Sequence, residues 1–223
     1  YLAAMSRASD CPGEVSPHAA PEQQIVEHIA ASDVLDVAAG LAEVPVDHLI
    51  EQGRELPLIG TLVSLGRIGY HVRDYLFTRK LVTFYRQLAT TPERQRIAFV
   101  QRLRDDGDLN RAGESLLEVL DKATTAEKAH FVGQLYSYCI VSEVRWADCE
   151  RMSEMITMAY LDDLRYFQRV RRDGIGETGD EVEHLLALGY LVREKKRFGN
   201  RIIEQVQPTL STYGEHLSSA FAS

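Results

Sequence analysis

Apolar residues recur at helical spacing along most of this chain. The longest such run is Glu55 to Leu88, where Leu58, Ile59, Leu62, Val63, Leu65, Ile68, Val72, Tyr75 and Leu76 repeat with the helical turn. Pro57 suits a first helical position, because the N–H it lacks would have no partner there. Gly60, Gly66 and Gly69 each cost a helix roughly 1 kcal/mol relative to alanine. Their use within one run predicts close approach by another backbone. The expectation is a central core helix around which the rest is organised. Near Phe77 to Arg79 it gives way to a second helix, or bends into one, that turns Leu81, Phe84, Tyr85 and Leu88 inward.

Shorter periodic segments surround it. Residues 1–20 are rich in Pro, Ser, Gly and Ala and read as a flexible leader. Helices are predicted over Pro21–Ala31, with Ile25, Val26 and Ile29 on one face, and over Asp33–Ala42, with Ser32 as its cap. Thr91-Pro92-Glu93 opens a helix reaching Arg104, and Asn110 caps the next. Thr125 caps a third, which carries Phe131, Val132, Leu135, Tyr136, Cys139 and Ile140. After a connection at Ser142–Trp146, one long helix is expected from Asp148 to Arg171, filled by Met152, Met155, Ile156, Met158, Leu161, Leu164 and Phe167. No alternating pattern competes with this series, so residues 21–150 read as a helical bundle.

The pattern then changes. Gly174 to Gly179 is a loop, and Asp180–Leu188 a short helix with Val182, Leu185 and Leu186 inward. Leu191–Glu194 and Ile202–Val206 read as strands on either side of Lys195-Lys196-Arg197-Phe198-Gly199-Asn200-Arg201, whose Gly-Asn pair favours a hairpin turn. Ser211 caps a last helix carrying Tyr213, Leu217 and Phe221.

This last block resembles the back half of a winged-helix domain. The residues that carry the resemblance are Leu185, Leu188, Gly189, Tyr190 and Leu191 before the hairpin, and Leu210, Ser211, Gly214 and Leu217 after it. Ser211 stands where the family more often has threonine. The resemblance implies a mainly α chain, with the bundle followed by a winged-helix-like domain over 151–223 that shares the long helix at 148–171. A second stretch resembles a motif of small uncharacterised bacterial proteins through Pro57, Leu58, Ile59, Gly60, Arg73, Asp74, Phe77, Arg79, Lys80 and Phe84. Arg79 departs from the lysine of that motif, which brings no activity with it.

Charge bears on how such a domain would be used. The 223 residues carry a net charge of −8, so a general nucleic-acid coat is not expected. Winged-helix domains often lay the helix before the wing in the major groove. Here that helix and its lead-in carry Glu177, Asp180, Glu181 and Glu183, which would repel phosphate. The wing is basic instead, with Arg193, Lys195, Lys196, Arg197 and Arg201 as candidate phosphate contacts, and Arg165, Arg169, Arg171 and Arg172 end the preceding helix. A basic hairpin partly neutralising an acidic neighbour fits the same residues. Arg73, Asp74, Arg79 and Lys80 are candidates for a partner-facing rim.

Motifs of catalysis are not found. The chain has no Gly-rich phosphate loop, no G-x-S-x-G turn and no histidine pair at metal spacing. His71 near Asp74 and His130 near Glu127 are better read as ordinary helix neighbours, and Met152, Met155 and Met158 as core filling. The three cysteines, Cys11, Cys139 and Cys149, make neither a C-x-x-C pair nor a disulfide framework, although Cys149 could meet Cys139 across a turn. No cofactor or metal is expected. The uncharged run from Leu56 to Gly66 is too short for a spanning helix before Arg67 interrupts it, and no secretory signal is evident.

The expected function is therefore a non-enzymatic, cytoplasmic adaptor or regulatory subunit of a bacterial assembly. It would hold a protein partner, or a second copy of itself, through a winged-helix module. The alternative is a DNA-binding regulator that grips phosphates with its wing. A third reading is a phage-defence or immunity component whose central apolar helix reaches a membrane.

Overall fold

The computed structural model describes residues 20–40, 72–176, 178–193, 195–198, 201–204 and 207–222. The first part of the Glu55–Leu88 stretch, with its three glycines, and Cys11 and His71 lie outside them. Ten helices are described: α1 (Pro21–Glu27), α2 (Ser32–Gly40), α3 (Val72–Leu88), α4 (Glu93–Asp105), α5 (Leu109–Lys122), α6 (Ala126–Val141), α7 (Trp146–Met158), α8 (Leu161–Asp173), α9 (Asp180–Ala187) and α10 (Thr212–Ala220). Four short strands, β1 (Leu191–Val192), β2 (Lys195–Phe198), β3 (Arg201–Glu204) and β4 (Thr209–Leu210), lie between α9 and α10.

Helix α6 is the most enclosed of the described helices, burying Phe131, Val132, Leu135, Tyr136, Cys139 and Ile140. Against it lies α3, whose Leu81, Phe84, Tyr85 and Leu88 are fully buried, as their spacing predicted. Phe84 meets Tyr136 edge-on at 5.1 Å between centroids, a favoured aromatic geometry. Helix α3 runs through Phe77 to Arg79 without interruption, so no separate second helix begins there. Helix α1 packs on α5, and α2 on α3. The Tyr85 hydroxyl donates to the Ile25 carbonyl at 2.6 Å, which satisfies both buried groups where α1 crosses α3.

Helix ends follow local chemistry, with several shifts from expectation. Thr125 and Ser211 cap α6 and α10 through their hydroxyls, accepting from the backbone N–H of Lys128 and Gly214. Ser32 is the first residue of α2 rather than its cap, and its hydroxyl accepts from Arg96 Nη2 at 3.0 Å. Asp108, not Asn110, precedes α5, and Asn110 instead donates to Glu114. Pro92 rather than Thr91 precedes α4, and the Thr91 carbonyl accepts from the buried Arg96. Helix α1 stops at Glu27, and its exit continues as tight turns through Ala31.

The long helix expected at 148–171 is two helices. Ala159 and Tyr160 are extended, with ψ of 148° and 152°. Asp163 reaches back to accept the Tyr160 N–H at 3.3 Å, which starts α8 afresh. The break turns Met158 out to 66 % exposure, so it fills no core.

The strands also differ from expectation. The basic segment read as the connection is itself β2, paired antiparallel to β3 from Lys195↔Glu204 to Phe198↔Arg201. That register leaves two residues for the turn, so pairing runs up to it on both sides. Strands β1 and β4 form a second antiparallel pair, Leu191↔Leu210 and Val192↔Thr209. Helix α10 returns onto α6 and α8. There Phe221 meets Phe131 at 4.8 Å and Phe167 at 6.1 Å, and Tyr138 shares a hydrogen bond of 2.9 Å with His216.

Candidate interaction surface

The residues around the strands are placed by a compact set of backbone contacts. Gly189 ends α9 with φ of +82°, a left-handed conformation that costs other residues roughly 1–2 kcal/mol. The Tyr190 N–H then returns to the Leu185 carbonyl at 2.9 Å, closing the helix end. The Tyr190 ring is buried edge-on against Phe167, 4.9 Å between centroids. Its carbonyl accepts the Ser211 N–H at 3.0 Å, and the Ser211 hydroxyl donates to the Gly189 carbonyl. Gly214 sits so close to the Tyr190 carbonyl that a Cβ there would collide with it. The two halves of the motif, Leu-Gly-Tyr before the strands and Leu-Ser-x-x-Gly after them, thus meet at one joint.

That joint fixes what faces solvent. Helix α9 buries Val182 and Leu185 and exposes Asp180, Glu181 and Glu183. Of the five candidate phosphate contacts, Arg193 donates through Nη2 to Glu183 at 2.5 Å, so it is already paired with the acidic helix. Lys195, Lys196 and Arg197 lie on β2 and Arg201 on β3, so four cations share one short ribbon. Of the arginines at the end of α8, Arg171 donates to Ser219 and Arg172 to Asp173.

The candidate partner-facing residues divide. The side chains of Arg73 and Asp74 lie outside the described set. Arg79 is exposed on α3 and helps line an open groove of about 500 Å3 with Leu76, Phe77, Thr124 and Glu127. Lys80 turns inward. It is 8 % exposed, and its Nζ donates to the carbonyls of Asp121 and Ala123, both at 3.0 Å, beside the Phe77 ring. It therefore caps the C-terminal end of α5, where a cation meets the negative end of the helix dipole.

One cluster had no signal in the sequence. The buried Asp163 lies 3.5 Å from Nδ1 of the half-exposed His184, joining α8 to α9. Burial raises the Asp163 pKa above the usual carboxylate value, opposed by the Tyr160 N–H and the His184 imidazole. Tyr160 covers the imidazole at 5.2 Å between centroids, and Lys128 Nζ donates nearby to the Thr157 carbonyl. The buried Tyr190 hydroxyl has no hydrogen-bond partner among the described residues. Asp163 and His184 are 21 residues apart in the chain, so only the fold reveals the pair.

Other candidates behave as structural groups. His130 is held below its usual pKa, chiefly by burial. Cys139 and Cys149 are both buried, and Cys139 is pushed up chiefly by burial and then by Cys149 beside it, the neighbourhood expected across the turn. Among the described residues no three His, Cys, Asp or Glu side chains gather as a metal site, and no helix is long and apolar enough to cross a membrane. Compared with known proteins, the chain matches no family model, no curated protein and no solved structure.

Proposed function

We infer that this chain is a non-enzymatic interaction protein, an adaptor or regulatory subunit. In this reading α8 to α10 and the strands between them form a winged-helix module used for protein contacts. The meeting of Leu185, Gly189 and Tyr190 with Ser211 and Gly214 supports the winged-helix reading, because those are the residues that carry the resemblance. The observation that carries the choice of partner is the surface of α9. Its exposed face is acidic, and Glu183 holds the first cation of the wing. Such a helix entering the major groove would set carboxylates against phosphate. Titration of the full chain with mixed-sequence duplex DNA, at low and near-physiological salt, tests this. No binding is expected at either salt.

The second reading, a DNA-binding regulator, is favoured by the four cations on β2 and β3. Micromolar binding that collapses with salt would establish it in place of the first, because phosphate contacts release counterions. Replacing Lys195, Lys196 and Arg197 with alanine would then weaken binding and shallow its salt dependence.

A further inference from the structure

Two large apolar side chains face solvent where the chain breaks between α7 and α8. Met158 is 66 % exposed and Tyr160 67 %, more than any other large apolar side chain among the described residues. Ala159 between them is buried on extended backbone, and its two neighbours turn outward. His184 of α9 lies against the Tyr160 ring at 5.2 Å between centroids, so the patch spans the joint between α8 and α9. Single exposed apolar residues are ordinary, but a methionine and a tyrosine two residues apart have the composition of an interface centre.

Charge around the patch is negative and unbalanced. Glu154 lies one helical turn before Met158 on α7, and Glu181 one turn before His184 on α9. Both are exposed, and neither enters an ion pair among the described residues. Glu127 and Asp162 share a single cation, Arg165. The other nearby cations are occupied: Lys122 by Glu118, Lys128 by the Thr157 carbonyl, and Arg151 over the Tyr213 ring. Beneath the His184 imidazole the buried Asp163 adds a further carboxyl group, 3.5 Å away. The net charge of −8 on the whole chain acts in the same direction.

We propose that the Met158–Tyr160 patch receives a cationic segment of a partner protein, one that carries an arginine beside an aliphatic side chain. The proposal rests on the protein-contact reading above and names the chemistry of the partner. The aliphatic group covers Met158, whose unbranched thioether adapts to the shape it meets. The guanidinium lies over the exposed part of the Tyr160 ring, where the ring quadrupole attracts it. Its N–H groups serve Asp162 and Glu181, because a planar fork of donors suits carboxylates better than the point charge of an ammonium. The side chains used are already exposed, and the backbone that presents them is held by buried Ala159 and by the Tyr160 N–H donating to Asp163. Nucleic acid would meet the same carboxylates as like charges.

Fluorescence anisotropy of a labelled peptide of repeating Arg-Leu-Ser units, titrated with the full chain at near-physiological salt, tests the patch. The same peptide with lysine or glutamate in place of arginine accompanies it. The arginine peptide is expected to bind, the lysine peptide about threefold more weakly, and the glutamate peptide not at all. Tyr160→Ser should weaken the arginine peptide about tenfold while keeping the fold, because serine suits the residue ahead of a helix. Glu154→Lys with Glu181→Lys should weaken it at least as much. Asp106→Lys, at an exposed acid beside the opposite end of α7, should change binding by less than about twofold. Absent binding of the arginine peptide, equal binding of the lysine peptide, or binding that Tyr160→Ser leaves unchanged would each overturn the proposal. So would an equal loss in Asp106→Lys, which would mean only general attraction to an acidic chain. The DNA titration separates the two levels. A chain that binds neither peptide nor DNA overturns only the patch. A chain that ignores the peptide and shows salt-sensitive DNA binding overturns the protein-contact reading as well.

Discussion

Acid should loosen the packing of α1 and α2 through a single imidazole. His28 lies in the turn between them, 2 % exposed, and its Nδ1 has no hydrogen-bond partner among the described residues. Burial lowers its pKa from 6.5 to about 4, although the Asp33 carboxylate works in the opposite direction. The folded protein thus holds this histidine neutral where the unfolded chain would protonate it. The stability it contributes is present above pH 6.5 and lost as pH falls toward the folded value. At about 1.4 kcal/mol per pH unit, the whole effect is roughly 3 kcal/mol, with about half of it gone by pH 5.5. That is a large share of the roughly 5–15 kcal/mol holding a typical domain together. The segment at risk carries Ile25, Val26, Ile29, Val34 and Leu35 into the core. Urea unfolding at a series of pH values from neutral to about pH 4.5, on the wild type and His28→Leu, measures the effect. Groups common to both proteins cancel in the difference. The wild type should lose about 2.5 kcal/mol relative to the variant across that range. A difference that stays flat would refute the burial of a neutral imidazole at this turn.

Further predictions concern the joints of the fold. Lys80→Met keeps the stem but removes two charge-assisted hydrogen bonds to the end of α5, and should cost about 2 kcal/mol, or roughly 4–8 °C in Tm. Arg79→Met should change stability by less than about 0.5 kcal/mol in the same thermal melt, and equal effects would contradict their different placement. Gly214→Ala should lower stability by roughly 1–3 kcal/mol despite the better helix propensity of alanine, because its Cβ would meet the Tyr190 carbonyl; an unchanged melting curve would show that no such contact exists. Asp163 has its folded pKa raised above the unfolded value near 3.8, so its contribution is fullest below that value and is lost as pH rises through the folded pKa. Relative to Asp163→Asn, the wild type should therefore weaken from about pH 4 upward in urea unfolding, and a constant difference would count against the buried carboxylate.

Much of this architecture is legible because its causes are local. The inward residues of α3 and α6 announce themselves by spacing, and Thr125 and Ser211 act on backbone three residues away. The break at Ala159 escapes that reading because apolar residues recur at helical spacing from Met152 through Phe167. Its signal is the pair of acids, Asp162 and Asp163, placed as first-turn residues of a new helix. Strand β2 is misjudged because its three cations read as a solvated turn, whereas a two-residue connection forces pairing up to its edge. Lys80 is harder still. Its acceptors lie 41 and 43 residues away, and no local pattern distinguishes it from the exposed Arg79 beside it. The Asp163–His184 pair has the same character, since neither residue carries its partner in its own helix.

These contacts also indicate where functional information resides. Leu185, Gly189, Tyr190, Ser211 and Gly214 are occupied in joining α9 to α10, through buried rings, closed backbone hydrogen bonds and one close approach. Chains with quite different partners could share that joint, because its chemistry is internal. Among the residues it leaves unspecified are the exposed acids of α9, Asp180, Glu181 and Glu183. A basic α9 on the same joint would favour the major groove, and an acidic one opposes it. In the protein-contact reading, partner choice would therefore rest on Asp180, Glu181 and Glu183, not on the residues that carry the resemblance. In that reading, exchanging charge at Asp180, Glu181 and Glu183 should alter partner binding while leaving the melting temperature nearly unchanged, whereas altering Gly214 should lower the melting temperature first.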